Sequence, residues 1–264
     1  MIGADARDPA STAGEAHRAD YAPHLDAQAL RGARLGVVRK FAGFSPDVDA
    51  LLDENISALK RAGATVVDPV ELPNAGKYGD DESIVLQYEL KHDLDAYLGG
   101  LPASNNAPHS LADLIRYNER ERAREMPWFD QDLFEKAQLR GPLTDKVYTK
   151  ALAKEKSMAG RDGIDAAMRK YKLDALIAPT GGPAWTTDLI NGDHFVGGDV
   201  TQPPAVAGYP HVTVPAGFVH GLPIGLSFVA GAWSEPKLIG YAYAFEQATH
   251  ARRAPKFVQT IAAP

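Results

Sequence analysis

Asp174-Ala-Leu-Ile-Ala-Pro-Thr180, then Gln202-Pro-Pro-Ala-Val-Ala-Gly-Tyr-Pro-His-Val-Thr-Val-Pro-Ala-Gly217, then Gly221-Leu-Pro-Ile-Gly-Leu-Ser-Phe-Val-Ala-Gly231 decide the fold. Ala175 to Ala178 is an unbroken apolar run too short for a helix, so it reads as a central strand ending at Pro179. His211-Val-Thr-Val214 and Ile224-Gly-Leu-Ser-Phe-Val229 read as two further strands, joined hairpin-fashion around His220-Gly-Leu-Pro223. Between the first strand and these two, residues 180–203 are rich in Gly, Asp, Asn, Thr and Pro. A loop of that length is functional or disordered. Ser234 is placed to cap a last helix, from Glu235 to about Ala251, carrying Leu238, Ile239, Tyr241, Ala242, Phe245 and Ala248.

Upstream, residues 1–30 read as an irregular arm, and Ala33-Arg-Leu-Gly-Val-Val-Arg39 as a buried strand. Ser45-Pro46 is a helix start, with an N-cap hydroxyl followed by proline at the first helical position. Val48, Leu51, Leu52, Ile56 and Leu59 then recur at helical spacing, and Gly63 ends the helix. Ala64-Thr-Val-Val-Asp68 returns as a strand, so a parallel crossover is expected. The middle, about 81–172, reads as helical: Ser83–Tyr97, Ser110 to about Glu121, Pro127–Ala137, and Leu143–Tyr171 with Gly160 and Gly163 bending its centre. Leu101–Pro108 is the expected mobile connector. The sum is an α/β chain with a mixed β-sheet flanked by helices and a helical insertion. It is expected as one domain over 1–264: strand-helix-strand to 80, helices over 81–172, then strands, loop and final helix.

The 264 residues suffice for a sizeable core, and the net charge of −6 offers no basic field for nucleic acid or anionic lipid. The absence of cysteine excludes disulfides, thiolate nucleophiles and cysteine zinc sites. No apolar run approaches a membrane span, and the acidic N-terminus is no signal peptide, so a cytoplasmic protein is expected.

A search for chemistry finds no Gly-x-Ser-x-Gly elbow, P-loop, dinucleotide cradle or His-Glu-x-x-His, and no cofactor or metal site is expected. Ser-x-x-Lys occurs twice, at Ser57/Lys60 and Ser234/Lys237. A solvated helix face and an N-cap account for them, and neither is catalytic. Asp193-His194, near Asp188 and Asp199, reads as a solvated loop with acidic turn residues rather than a metal site. His211 reads as a strand-edge residue rather than a base, and His92 as helix surface. Trp128-Phe129 and Trp185 either line an apolar pocket or pack in the core or at an interface.

The three opening stretches resemble the C-terminal core of amidase signature hydrolases. Further fragments match in collinear order over most of the chain. Met1-Ile-Gly-Ala-Asp-Ala-Arg-Asp-Pro9 is similar to the family's Gly-x-Asp-x-x-Asp-Pro segment, and Leu30-Arg-Gly-Ala-Arg-Leu-Gly-Val37 to the strand after it. Glu89-x-Lys91, Ser110-Leu-Ala-Asp-Leu-Ile115 with Asn118, Gly160-Arg-Asp-Gly-Ile-Asp-Ala-Ala167 and Asn191-Gly-Asp-His-Phe195 resemble the peptide amidase-like branch. So does Phe129-Asp-Gln-Asp-Leu133, where Asp130 stands in place of that branch's usual glycine.

The resemblance implies an α/β/α fold and hydrolysis of amides, peptide C-terminal amides among them, without cofactor, by a Ser-Ser-Lys triad. Those residues sit in a Gly-Gly-Ser-Ser loop and an earlier lysine in the family's N-terminal half. This sequence contains no Gly-Ser-Ser, so no catalytic residue is assigned and the chain alone is expected to be inactive. By position, Thr180, Trp185, Phe195 and Gln202 are the expected substrate-binding residues, forming a pocket wall opposite the catalytic serines. The implied partners are a small amide or peptide amide, and either a complementing N-terminal half or a second copy; no nucleic acid and no membrane are expected. The alternative is a non-catalytic half-fold that acts by pairing with another chain. An enzyme built on a novel site within these residues is a third reading.

Overall fold

The computed structural model describes residues 3–8, 11–102, 107–198 and 200–257. Five strands, β1 (Arg34–Val37), β2 (Thr65–Val67), β3 (Ala175–Pro179), β4 (His211–Val219) and β5 (Leu222–Val229), form one sheet in the order β2-β1-β3-β5-β4. β1 runs parallel to β2 and β3, whereas β5 runs antiparallel to β3 and β4, so the sheet is mixed. The β1–β2 crossover carries the Pro46–Arg61 helix. Ser45 Oγ accepts from Val48 N at 3.5 Å, Pro46 needs no amide donor, and the acidic first turn and basic last turn complement the helix dipole.

β3 is buried along its whole length, and its alternation shows why. Ala175 and Ile177 point into one core with Leu35, Val37, Leu226 and Phe228, closed by Leu52, Ile56 and Leu59 of the 46–61 helix and Leu238 and Phe245 of the Glu235–Thr249 helix. Leu176 and Ala178 point into the opposite core with Val38, Val70, Leu72, Ile164, Ala167, Leu173 and Val229. A strand with apolar contacts on both faces has no polar alternation to show, which is what the continuous run Ala-Leu-Ile-Ala encodes. Gly36 lets β1 fit beneath this second layer: a Cβ there would lie 2.4 Å from Leu173 Cδ1. Asp174 ties β3 to its surroundings, since Oδ2 accepts from Arg34 N at 2.9 Å and Oδ1 from Lys237 Nζ at 3.2 Å.

The β4–β5 hairpin is longer than its sequence suggests. Both residues of its turn, His220 (φ 49°) and Gly221 (φ 81°), take positive φ, as the twist-matched two-residue hairpin turns require. β4 continues from Val214 through Pro215-Ala216-Gly217 to Val219, with its register broken between Pro215 and Gly217. β4 is the sheet's edge, where a residue without an amide proton leaves a bond unmade only on the unpaired side.

The chain divides into two compact units, Met1–Ala75 with Ala159–Pro264, and Gly76–Met158. The helical stretch expected over 81–172 is thus divided between them. Gly160–Ile164 forms a π-helical turn where a bend is expected, and Gly160 leaves room for Tyr209, whose hydroxyl would lie 3.2 Å from a Cβ. That hydroxyl donates to Asp165 Oδ2 at 2.8 Å.

Within Gly76–Met158 the helices Gly79–Gly99, Leu111–Arg120 and Asp132–Gln138 appear, with most of Lys146–Ala159. Ser110 caps the second, accepting from Asp113 N at 3.1 Å. Val85, Tyr88, Tyr148 and Ala151 make its small core. Three expectations are corrected. The helix expected from Pro127 begins at Asp132. Trp128 and Phe129 are 61% and 74% exposed and so are not core. In the larger unit, Ser234 occupies the N-cap of the final helix without a capping hydrogen bond. Of the expected connector Leu101–Pro108, residues 103–106 lie outside the described residues, as do Met1, Pro9 and Asp199.

Candidate functional site

Thr180 follows β3, and its amide donates to Gly225 O at 2.8 Å, extending the pairing with β5 by one residue. Ser227 pairs with Ala178 on one side and Thr213 on the other, so side chains from three strands share one face of the sheet. They form a line of hydrogen bonds. His211 Nε2 lies 2.6 Å from Ser227 Oγ, Ser227 Oγ 2.8 Å from Thr180 Oγ1, and Thr180 Oγ1 2.6 Å from Thr213 Oγ1. Gly225 makes the last contact possible, because a Cβ on it would lie 2.6 Å from each threonine hydroxyl. Burial lowers the pKa of His211, which favours the neutral ring.

A serine 2.6 Å from a histidine invites comparison with a nucleophile and its base. Burial argues against it: Ser227 is 0% exposed and its oxygen is already engaged by Thr180. The arrangement positions polar groups; it does not attack.

Beyond Thr180 the chain leaves the sheet and returns through a narrow neck. A Cβ on Gly198 (φ 87°) would lie 2.9 Å from Gly181 Cα and 3.0 Å from the Phe44 ring, and one on Gly197 (φ 137°) 2.9 Å from Phe44 Cβ. Glycine is required here both for close approach and for positive φ. Above the neck, Trp185 and Phe195 meet edge to face with centroids 6.2 Å apart, and Trp185 Nε1 donates to Asp193 Oδ1 at 3.3 Å. Asp188 holds the tip, accepting from the Ile190 and Asn191 amides at 2.9 Å, and these bonds lower its pKa. Gln202 opens the short Gln202–Ala207 helix.

Of the four residues selected from sequence, then, Trp185 and Phe195 touch each other, and Thr180 belongs to the hydroxyl line. His211 does sit at the start of the edge strand, but Ser227, Thr213, Gly225 and Phe44 were not anticipated. The available signal was Ser227 itself, the single polar residue in the run Ile224–Val229. His92 is exposed and pairs with Asp93 at 2.8 Å. Among the described residues no group of three or more His, Asp or Glu side chains could hold a metal ion, and no helix is long and apolar enough to cross a membrane.

The Amidase family model matches residues 1–239. The chain belongs to the amidase family. It is 37% identical over 245 residues to a probable amidase of Arabidopsis thaliana, covering 90% of this chain and 42% of that protein. The peptide amidase of Stenotrophomonas maltophilia superposes with a TM-score of 0.85 at 44% identity, over 97% of this chain and 51% of that one. An amidase family protein of Bacillus anthracis superposes with a TM-score of 0.79 at 27% identity, over 97% of this chain and 46% of that one. The chain spans about half the length of these relatives. The mixed sheet flanked by helices is the fold of these amidases, and the likeness to peptide amidase agrees with the branch read from sequence.

Proposed function

We propose that this chain forms the substrate-shaping part of an enzyme that hydrolyses the carbon–nitrogen bond of linear amides, peptide C-terminal amides among them. In this reading the serine nucleophile comes from chain outside these residues, the enzyme is cytoplasmic and needs no cofactor, and the chain alone is inactive. The observation that carries the reading is the line His211–Ser227–Thr180–Thr213, a polar wall on a sheet whose other inward positions are apolar. Trp185 and Phe195 supply an apolar flank, and Gln202 a polar group at the loop's return.

The test is complementation. The chain is co-produced with the N-terminal half of a peptide amidase, and ammonia release from an N-acylated amino acid amide is followed. Release by the pair and none by the chain alone is expected. Activity of the chain alone, lost on substituting one of its serines, would establish the novel-site reading instead. In the active pair, Trp185→Ala and Phe195→Ala should raise KM several-fold, and unchanged kinetics would remove both from the pocket.

One observation favours a second reading. The nine-residue strand β4 has β5 as its only strand neighbour among the described residues, and an open edge of that length invites another chain. A half-fold that acts by pairing should appear as a dimer or mixed complex in sedimentation, whereas a monodisperse monomer with cooperative melting would sink it.

A further inference from the structure

Tyr241 is only 7% exposed, yet its hydroxyl makes no hydrogen bond to any described residue. It sits on the Glu235–Thr249 helix and lines a cavity of about 460 Å³, together with Trp233, Ser234, Pro236, Lys237 and His24. That volume suits a small ligand. Burial first, then the charge of Asp174, push the Tyr241 pKa up to about 12, so the hydroxyl keeps its proton and can donate. Asp174 Oδ1 also accepts from Lys237 Nζ at 3.2 Å, so hydroxyl and ammonium stand at the same end of the cavity.

Backbone and ring contacts shape the rest. A Cβ on Gly240 would lie 2.9 Å from His24 O, so glycine lets the chain at His24 close against the helix. Trp233 takes a φ of 61°, the left-handed region that a bulky residue adopts only under strain. His17 stacks on one face of its indole, with centroids 3.8 Å apart and planes 7° apart, and the indole remains 48% exposed. The helix start, with its positive dipole end, is capped by no side chain, and Pro236 brings no amide proton. No acidic side chain lines the cavity; Glu235 of the same turn stays outside it.

We propose that this cavity is a binding site for a small aromatic carboxylate. The ring lies against the indole of Trp233, and the carboxylate accepts from Tyr241 Oη and Lys237 Nζ beside the start of the helix. A buried donor without an acceptor is costly, and the carboxylate supplies the acceptor that the chain does not. The bond from Lys237 to Asp174 is exposed and weak, so the ammonium can be shared. Tyr241 packs with Ala175 and Ile177, on the face of the sheet opposite Ala178 and Ser227. The site is therefore separate from the hydroxyl line and independent of the amide-hydrolase reading.

The full chain is titrated with benzoate while the Trp233 indole N–H, assigned with Trp233→Phe, is followed by nitrogen-15 NMR. A saturable shift is expected, with Kd of about 1 mM for so small a ligand. Benzamide keeps the ring without the charge, and cyclohexanecarboxylate keeps the charge without the flat ring. Each should bind at least about fivefold more weakly. Tyr241→Phe removes only the hydroxyl. Its Tm without ligand should stay the same or rise, because no hydrogen bond is lost, while its affinity for benzoate falls about five- to tenfold. Should that variant fail to fold, Lys237→Met at an exposed position serves in its place, and it should weaken benzoate more than benzamide. No saturable shift at Trp233, equal binding of the three probes, or unchanged benzoate affinity in the folded variant overturns the proposal. All of this is read without catalysis, so failure of complementation would count against the amidase reading alone.

Discussion

Ser227 and Glu155 are both polar and both buried, at 0% and 4% exposure, yet the protein treats them oppositely. Ser227 sits in the sheet with a partner on either side of its oxygen. Glu155, in the helical unit, leaves Oε2 without a hydrogen-bond partner, and burial, then Glu82 and Glu89, push its pKa up to about 7. A neutral hydroxyl is accommodated by two short bonds. A buried carboxyl pressed by Glu82 and Glu89, with only Lys156 acting the other way, is accommodated best while it keeps its proton. The sheet's buried polar centre thus responds to pH only through His211, whose lowered pKa makes acid the destabilising direction, whereas at Glu155 the destabilising direction is base.

The widest test of that contrast is pH. Glu155 binds its proton more tightly in the folded protein than in the unfolded chain, so its stability contribution is intact below about 4.5 and is lost as pH rises toward 7. The difference is worth about 3 kcal/mol, and Glu155→Gln should raise Tm at pH 8 while leaving it unchanged at pH 4. An equal gain at both values would mean that ionisation is not the cause. Next, Ser227→Ala should cost about 2 kcal/mol in urea unfolding, because it strands His211 and Thr180. That loss should be the same at pH 7 and pH 9, unlike the Glu155 effect. Gly225→Ala, which forces the threonine hydroxyls apart, should cost about 1 kcal/mol and shift His211 in NMR. Ser57→Ala and Lys237→Ala, whose side chains are largely exposed, should each change stability by less than about 0.5 kcal/mol. A larger loss would reopen the two Ser-x-x-Lys pairs.

The sheet's centre was legible because Ala175–Ala178 is apolar on both faces and Ile224–Val229 carries Ser227 as its single polar residue, and the 46–61 helix because Ser45-Pro46 marks its start. The second half of β4 was not, since Pro215 and Gly217 signal a break wherever a strand is not at an edge, and edge position is a property of the whole sheet. The same limit governs the site. Thr180 was found by family resemblance, but its neighbours depend on cross-strand register: Ser227 opposite Ala178 and Thr213 opposite Ser227. A linear reading sees a serine among aliphatics and a histidine after proline, and nothing in it says that they are 2.6 Å apart. Trp128 and Phe129 mark the converse case, apolar residues whose exposure no periodicity announces.

The parallel pairing of β1 with β3 joins residues 140 positions apart, as between Arg34 and Asp174. Everything in Gly76–Met158 lies inside that interval. Closing a chain segment costs entropy that grows only with the logarithm of its length, so doubling the interval would cost only about 0.6 kcal/mol. The rate is another matter, because contacts this remote along the chain form late. Evolution is therefore free to lengthen or trim the helical insert at small equilibrium cost, and any selection against doing so acts through the time the sheet takes to assemble.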